Sequence, residues 1–396
     1  RGTTSDKSLF RNGLVVVEIA LALILLTGAS LLIKSFTRLQ RVDTGFRPQG
    51  TLTMGVFLPP AKYETEDKIV SFFRQLDSAL AARREVDSVG AVTVLPLSGN
   101  DDRIHFTIAG APTVAPADRP IAQIRSTIGD YFKAQGIPFL EGRMFSERDG
   151  KDSPGIAIVN HALAATFFPS TSPLGKRIAL EGEDSPREIV GEVGDVRVDA
   201  LDVAVRPQVY VPLPQNAAPY MSFVVRGASS SIDLRPTVRQ ALGAVDSGLP
   251  ISDVRTMDEI LAGSVSQQRF SMLVMSFLAG LAAILAAIGI YGVMAYSVSK
   301  RTSEIGIRMA MGAQPAEVVR LILKRGITLT AMGIVAGLAG SFALVGLISS
   351  LLYSVKATDP SVFLIVTLGA AAVAILACYI PARRATRVDP MIALRQ

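Results

Sequence analysis

The chain has one cysteine and no tryptophan among its 396 residues. A single thiol, Cys378, excludes an intrachain disulfide, so any part lying outside the cytoplasm must be held by its own core. Only two histidines occur, His105 and His161, and neither stands with a cysteine or carboxylate at metal-ligand spacing. No serine sits in a Gly-x-Ser-x-Gly elbow. Gly175-Lys176-Arg177 lacks the upstream glycine and the Ser/Thr with which a phosphate loop presents its amides and binds magnesium. These absences leave no catalytic constellation and no metal site, and the chain is not expected to bind or hydrolyse ATP by itself. Charge is scarce as well: 19% of residues, against about 25% in soluble domains.

What is present is unevenly spread. Residues 13–33 form an apolar run with Glu18 as its only charge, and 271–298, 327–353 and 362–381 contain no Asp, Glu, Lys or Arg. Each is long enough to cross a bilayer as a helix. The first run is too long for a signal-peptide core and has no small-residue cleavage site ahead of Lys34. Glu18 reads either as a functional intramembrane carboxylate or as a group near enough to the interface to reach water. Gly289-xx-Gly292 and Gly333-xxx-Gly337 place small residues at helix-packing intervals.

Between the first and second runs the composition is that of a soluble protein. Alternating stretches at 88–95, 104–108, 156–159, 188–193, 208–211 and 221–225 predict strands. Helical spacing appears at 66–83, 161–168 and 232–245, the last after a Ser-Ile-Asp capping region. The fold class is therefore an α-helical membrane protein with four transmembrane helices and one large α+β domain.

Basic residues orient the spans. Lys7 and Arg11 precede the first. Lys300, Arg301, Arg308, Arg320, Lys324 and Arg325 lie between the second and third, and Arg383, Arg384, Arg387 and Arg395 follow the fourth. The last connection carries Lys356 alone. Both termini are thus expected in the cytoplasm and 35–269 outside it, with Lys34, Arg38 and Arg41 as exceptions that a long translocated domain tolerates. The net charge of +6 belongs to these flanks, and no basic stripe suggests nucleic acid.

The cytoplasmic loop 299–326 is the strongest local feature. Glu304-Ile305-Gly306-Ile307-Arg308-Met309-Ala310-Met311-Gly312 sets large apolar residues beside water, which a mere connector has little reason to do. An apolar set rimmed by charge marks a docking site, the alternative being a helix lying on the membrane. Gln314-Pro315-Ala316-Glu317 then predicts a fresh helix start. In the tail, Asp389 is a candidate cap for a short helix from Pro390.

Here the sequence resembles the permease family that includes the MacB-type macrolide exporters and the FtsX-like proteins. The likeness runs through Gln267-Gln268-Arg269-Phe270, Ile288-Gly289-Ile290-Tyr291-Gly292, the Glu304–Gly312 loop and Pro381-Ala382-Arg383-Arg384-Ala385. In the soluble part it rests on Gly129-Asp130-Tyr131-Phe132, Gly142-Arg143, Pro173-Leu174-Gly175-Lys176-Arg177 and Gly191-Glu192-Val193-Gly194-Asp195.

The resemblance implies a cytoplasmic segment 1–12, a transmembrane helix 13–34, a MacB-like periplasmic core domain 35–269 of two subdomains, and an FtsX-like block 270–396. That block would hold helices 271–298, 327–353 and 362–381, with a cytoplasmic tail 382–396. It further implies an ABC-type permease in a bacterial inner membrane, transmitting the motion of a separate cytoplasmic ATPase to the outer domain. ATP and magnesium would sit on that partner. The loop residues Glu304, Ile305, Gly306, Ile307, Arg308, Met309, Met311 and Gly312 would form the coupling element. A homodimer, or a first half preceding Arg1 in a duplicated chain, is the expected second permease unit, and a periplasmic adaptor a further partner. A membrane-anchored scaffold or sensor, with no ATPase involved, stays open beside this reading.

Overall fold

Val70, Phe73, Leu76 and Leu80 recur at helical spacing, and the first soluble helix turns all four inward. In the computed structural model, which describes residues 3–100, 102–110, 112, 115–300, 311, 314–349 and 352–385, this helix lies in one of two units. One comprises Val42–Ser266; the other joins Arg1–Arg41 to Gln267–Gln396.

Within 42–266, the strands β1 (Thr51–Phe57), β2 (Val86–Val92), β10 (Tyr220–Gly227) and β11 (Ser252–Thr256) pair in the order β11-β1-β10-β2, antiparallel throughout. The helices α2 (Glu66–Ala81) and α5 (Arg235–Val245) connect β1 to β2 and β10 to β11, a split β-α-β arrangement. Phe73, Leu76, Met221 and Phe223, none of them exposed, bind α2 and α5 to the sheet. Each such side chain contributes about 1.5–3 kcal/mol on burial. Thr65 caps α2, its hydroxyl accepting from the Lys68 amide, with Glu66 and Asp67 in the first turn. The expected helix 232–245 starts later, at Arg235. Asp233 accepts from the Arg235 amide, Pro236 follows in the first turn, and Ser229–Ile232 forms a turn instead.

A second set of strands is inserted between β2 and β10: β3 (Arg103–Ile108), β4 (Ile121–Gly129), β6 (Ile156–Asn160), β7 (Arg177–Leu180), β8 (Arg187–Val193) and β9 (Gln208–Pro212). Their pairings β4–β3–β7–β8–β6–β9 return to β4 and close a small barrel. Phe106, Ala157, Val159, Ile178, Ile189, Val209 and Val211 fill it, as a six-strand barrel requires. β5 (Phe139–Gly142) adds to β8 outside the ring. Two short helices brace the outside. The first, α3 (Tyr131–Gln135), ends on Gly136 at φ 72°. The second, α4 (His161–Phe167), is capped by the Asn160 side chain. β4 also pairs with β2, so one strand serves both halves of the domain. An open cleft of about 560 Å³ is lined by Arg74 and Asp77 of α2, Gly129 and Asp130, Glu147, Asp149 and Pro212.

Among the described residues, the other unit holds four helices. α1 (Thr3–Leu39), α7 (Ser266–Lys300), α8 (Pro315–Ile348) and α9 (Pro360–Ala385) contain the apolar spans Phe10–Leu39, Ser266–Lys300, Leu323–Leu344 and Pro360–Arg384, each long enough to cross a membrane. A helix α6 (Met257–Ser264), opened by a Thr256–Glu259 capping box, precedes α7 with only Val265 between them. α8 stops at Ile348, short of the expected 353. α9 runs on past Pro381, the last residue of the expected span, to Ala385; a membrane helix near its end accommodates the lost amide donor.

Candidate functional site

The four long apolar helices meet through a small set of contacts, and those that lock helix to helix make up the candidate site. Gly333, Gly337 and Gly340 recur along one face of α8, and that face lies on α1. A Cβ added to Gly333 would stand 2.7 Å from Ile19, one on Gly337 2.9 Å from Leu23 and 3.0 Å from the Ala20 carbonyl, and one on Gly340 2.7 Å from Ile24. Such close approach is how helices associate where water supplies no hydrophobic drive. Gly289 of α7 faces Glu18, whose Oε2 would meet a Cβ at 2.1 Å. Gly292 meets nothing within 4 Å. Below this seam Val15, Ile19, Ile290, Met294, Leu329 and Cys378 form one buried cluster drawn from all four helices.

Gly337→Val is therefore expected to destabilise the bundle by roughly 1–3 kcal/mol through overpacking, whereas Gly292→Ala is expected to leave it unchanged or slightly firmer. Thermal unfolding of the full chain in detergent checks the pair. Equal melting temperatures for Gly337→Val and the parent would remove the seam as a structural element.

At one end of the bundle a polar clasp joins α1 to the α8–α9 connection. Lys34 Nζ lies 2.5 Å from Asp359 Oδ2 and 3.0 Å from the Ser361 hydroxyl. The Arg38 guanidinium donates to the Ser354 carbonyl, and the Tyr353 amide donates to Ser35 Oγ at 2.8 Å. The Lys34 ammonium and the Ser361 hydroxyl hold the Asp359 carboxyl well below the usual carboxylate range. Lys34 and Arg38, two exceptions in the pattern of basic flanks, thus have specific partners. Their unexplained charge at that end of α1 was the signal available in the sequence.

Near the other end of the bundle, Arg11 lies 4.1 Å from the centre of the Tyr296 ring and Arg384 donates to the Tyr291 hydroxyl at 3.0 Å. Glu18 Oε2 and Asn12 Oδ1 are sealed from solvent without a hydrogen-bond partner among the described residues.

Of the expected coupling residues, Glu304, Ile305, Gly306, Ile307, Arg308, Met309 and Gly312 lie outside the described residues, as does Asp389. Met311 is fully exposed at 84%. Gln314 and Pro315 begin α8. The histidines serve the fold: His161 Nδ1 lies 2.8 Å from Glu192 Oε1, and His105 Nδ1 lies 3.2 Å from the Arg119 carbonyl. The hydrogen bond to Glu192 raises the His161 pKa. No group of three metal-binding side chains occurs among the described residues.

Comparison with known proteins bears on both units. The family described as MacB-like periplasmic core domain matches residues 14–255, and the FtsX-like permease C-terminal family matches residues 276–390. The pyoverdine export ATP-binding/permease protein PvdT of Pseudomonas savastanoi pv. phaseolicola is 26% identical over 273 residues, 65% of this chain and 40% of that protein. The ABC transporter permease YknZ of Bacillus subtilis, described as uncharacterized, is 26% identical over 278 residues, 67% of this chain and 68% of that protein. The chain thus spans less than half the length of relatives such as PvdT. The crystal structure of the periplasmic region of MacB from Actinobacillus actinomycetemcomitans covers 56% of this chain and 95% of its own at 15% identity, with a TM-score of 0.37.

Proposed function

The chain belongs to the ABC transporter permeases that join a MacB-like periplasmic core domain to an FtsX-like block, and from that premise we propose that it is the mechanical subunit of an ATP-driven system. It carries no ATPase of its own in this reading. A cytoplasmic nucleotide-binding partner holds ATP and magnesium, seats the 304–312 loop, and moves it on closure. Both termini of the chain lie on the side of that partner, and the core domain lies across the membrane. A second permease unit, either another copy or a homologous half, completes the assembly.

One observation carries the proposal. α8 begins at Pro315, just past the loop, and continues unbroken for 34 residues, about 51 Å at 1.5 Å per residue. Along its apolar stretch the glycine seam fixes it to α1, and α1 ends at Leu39, only a few residues before the core domain begins at Val42. Displacement of the loop therefore has a stiff path to the outer end of α1. Work is done only if whatever the core domain binds distinguishes the two states. PvdT combines ATP-binding and permease parts by its description, whereas YknZ is described as a permease. Export or envelope-linked work is the class of output this supports.

The test is affinity capture from native membranes with the intact chain, and with a Glu304→Ala, Met309→Asp double variant. The intact chain is expected to bring down an ABC ATPase and the variant to lose it by tenfold or more. Capture of no ATPase by the intact, folded chain would overturn the proposal in favour of an anchored scaffold.

A further inference from the structure

Arg125 lies mid-strand on β4, with 1% of its surface exposed. Its Nε donates to the Val94 carbonyl at 3.2 Å, but Nη1 and Nη2 have no hydrogen-bond partner among the described residues. Three aromatic rings gather around this position. Tyr210 is the register partner of Arg125 on β9. Tyr131 lies 6.4 Å from Tyr210 between ring centres, and Phe132 5.0 Å. Tyr131 is 1% exposed, and its hydroxyl too is sealed without a partner. One turn along the same helix face, Gln135 is fully buried, and neither amide atom has a hydrogen-bond partner among the described residues. Burial first, and Tyr210 second, push the Tyr131 phenol well above its usual range, while the Arg125 charge pulls it down.

The groups with unused capacity are mostly donors: two guanidinium nitrogens, a phenol O–H and an amide N–H. The nearby hydroxyl of Tyr210 is already committed, donating to Gln208 Oε1 at 2.6 Å. Asp195, the carboxylate whose field reaches Tyr210, uses Oδ1 to accept from Asn160 Nδ2 and the Ala162 amide, both at 2.8 Å. A guanidinium keeps its charge, and a buried charge without a counter-charge or hydrogen bonds costs several kcal/mol. Native interiors leave few such groups unpaired, and each unpaired one points to a missing partner.

We propose that Arg125, Tyr131 and Gln135 form a buried site for a small monovalent anion of chloride size, held inside the core domain between β4 and α3. The donor set fixes the sign of the ligand. A single-atom anion is the smallest ligand that these donors could share at a place sealed from solvent. The Gln135 carbonyl oxygen turns away from the ion in this arrangement.

The experiment measures thermal unfolding of the full chain in detergent, in sodium chloride and in sodium gluconate at matched ionic strength. Above the dissociation constant, each tenfold rise in chloride is expected to raise Tm by roughly 3–5 °C, and gluconate is not. Tyr131→Phe, which keeps the ring and removes only the O–H, is expected to weaken that slope, and Arg125→Met to abolish it. Identical curves for the parent in the two salts would overturn the site, and so would an undiminished chloride slope in Arg125→Met. Should Arg125→Met not fold, crystals of the intact chain soaked in sodium bromide decide the matter. An anomalous peak between Arg125 and Tyr131 supports the site, and a bromide-loaded crystal with no peak there overturns it.

Discussion

Asp77→Asn is expected to raise the melting temperature of the full chain at pH 8 by about 4–8 °C and to flatten its pH dependence between pH 5 and 7.5. Asp77 lies on α2 in the cleft. Its Oδ1 is packed against Gly129, where an added Cβ would stand 2.2 Å away, and has no hydrogen-bond partner among the described residues. Burial first, and the neighbouring Asp130 second, push its pKa up to about 7. The sign follows from proton binding. Between about pH 4 and 7 the folded chain holds a proton on Asp77 that the unfolded chain has released, so stability falls as pH rises through that window. Above it the ionised carboxylate remains in an unfavourable place at constant cost.

At 1.36 kcal/mol per pH unit the bound is about 4 kcal/mol, and relaxation of the open cleft lowers the expected value to roughly 2. Asparagine is neutral at every pH and removes that term. The remaining charges that face the cleft are Arg74, Glu147, Asp130 and Asp149, the last paired with Arg143 at 2.8 Å. Thermal unfolding across pH 5–8 checks the prediction, and a variant whose Tm still falls with the parent's slope would show that another group titrates.

Gly90→Val is expected to cost about 3 kcal/mol or more, lowering Tm by roughly 6–12 °C. Gly90 on β2 is the register partner of Gly129 on β4. An added Cβ would stand 2.3 Å from the Tyr131 amide nitrogen, 2.6 Å from its Cα and 2.8 Å from the Ile128 carbonyl oxygen. These are backbone atoms that cannot swing aside, so α3 must lift from the sheet. Gly243→Ala is the matched control, since nothing lies within 4 Å of that position; it is expected to gain a few tenths of a kcal/mol from helix propensity. Limited proteolysis of the two variants, read beside their melting curves, separates a lifted α3 from a general loss of fold. A Gly90→Val chain as resistant and as stable as the parent would mean that the close packing of α3 on β2 is not required.

The four membrane helices were legible in the sequence because an unbroken apolar run has only one common use. The start of α2 was legible because Thr65, Glu66 and the spacing of Val70, Phe73, Leu76 and Leu80 all favour the same helix. The barrel was not. Its closure depends on β4 meeting β9, which begins at Gln208, and on β6 meeting β9, and alternation within a strand carries no record of which distant strand it will join. The start of α5 was misplaced because Asp233 serves a backbone amide two residues on, a local geometry that the Ser-Ile-Asp pattern does not distinguish from an earlier cap. The glycines of the seam were visible as spacing. That Gly333 and Gly337 face α1 while Gly292 faces open space follows from helix rotation, which composition leaves free. Lys34 and Arg38 stand out in the sequence as misplaced charges, but Asp359 and Ser354, their partners more than 300 residues away, carry no local mark.

The strand shared by the two halves of the core domain decides how firmly they are held together. β4 is hydrogen-bonded to β2 at its C-terminal end, to β3 at its N-terminal end and to β9 in between. A jaw would need a flexible crease along that line, and here the line is occupied by a continuous ladder with buried side chains on both faces. Separating the halves means breaking backbone hydrogen bonds rather than bending a linker. Under the proposed function, a pull on one half of the core domain would therefore reach the other half without slack, through β4 itself.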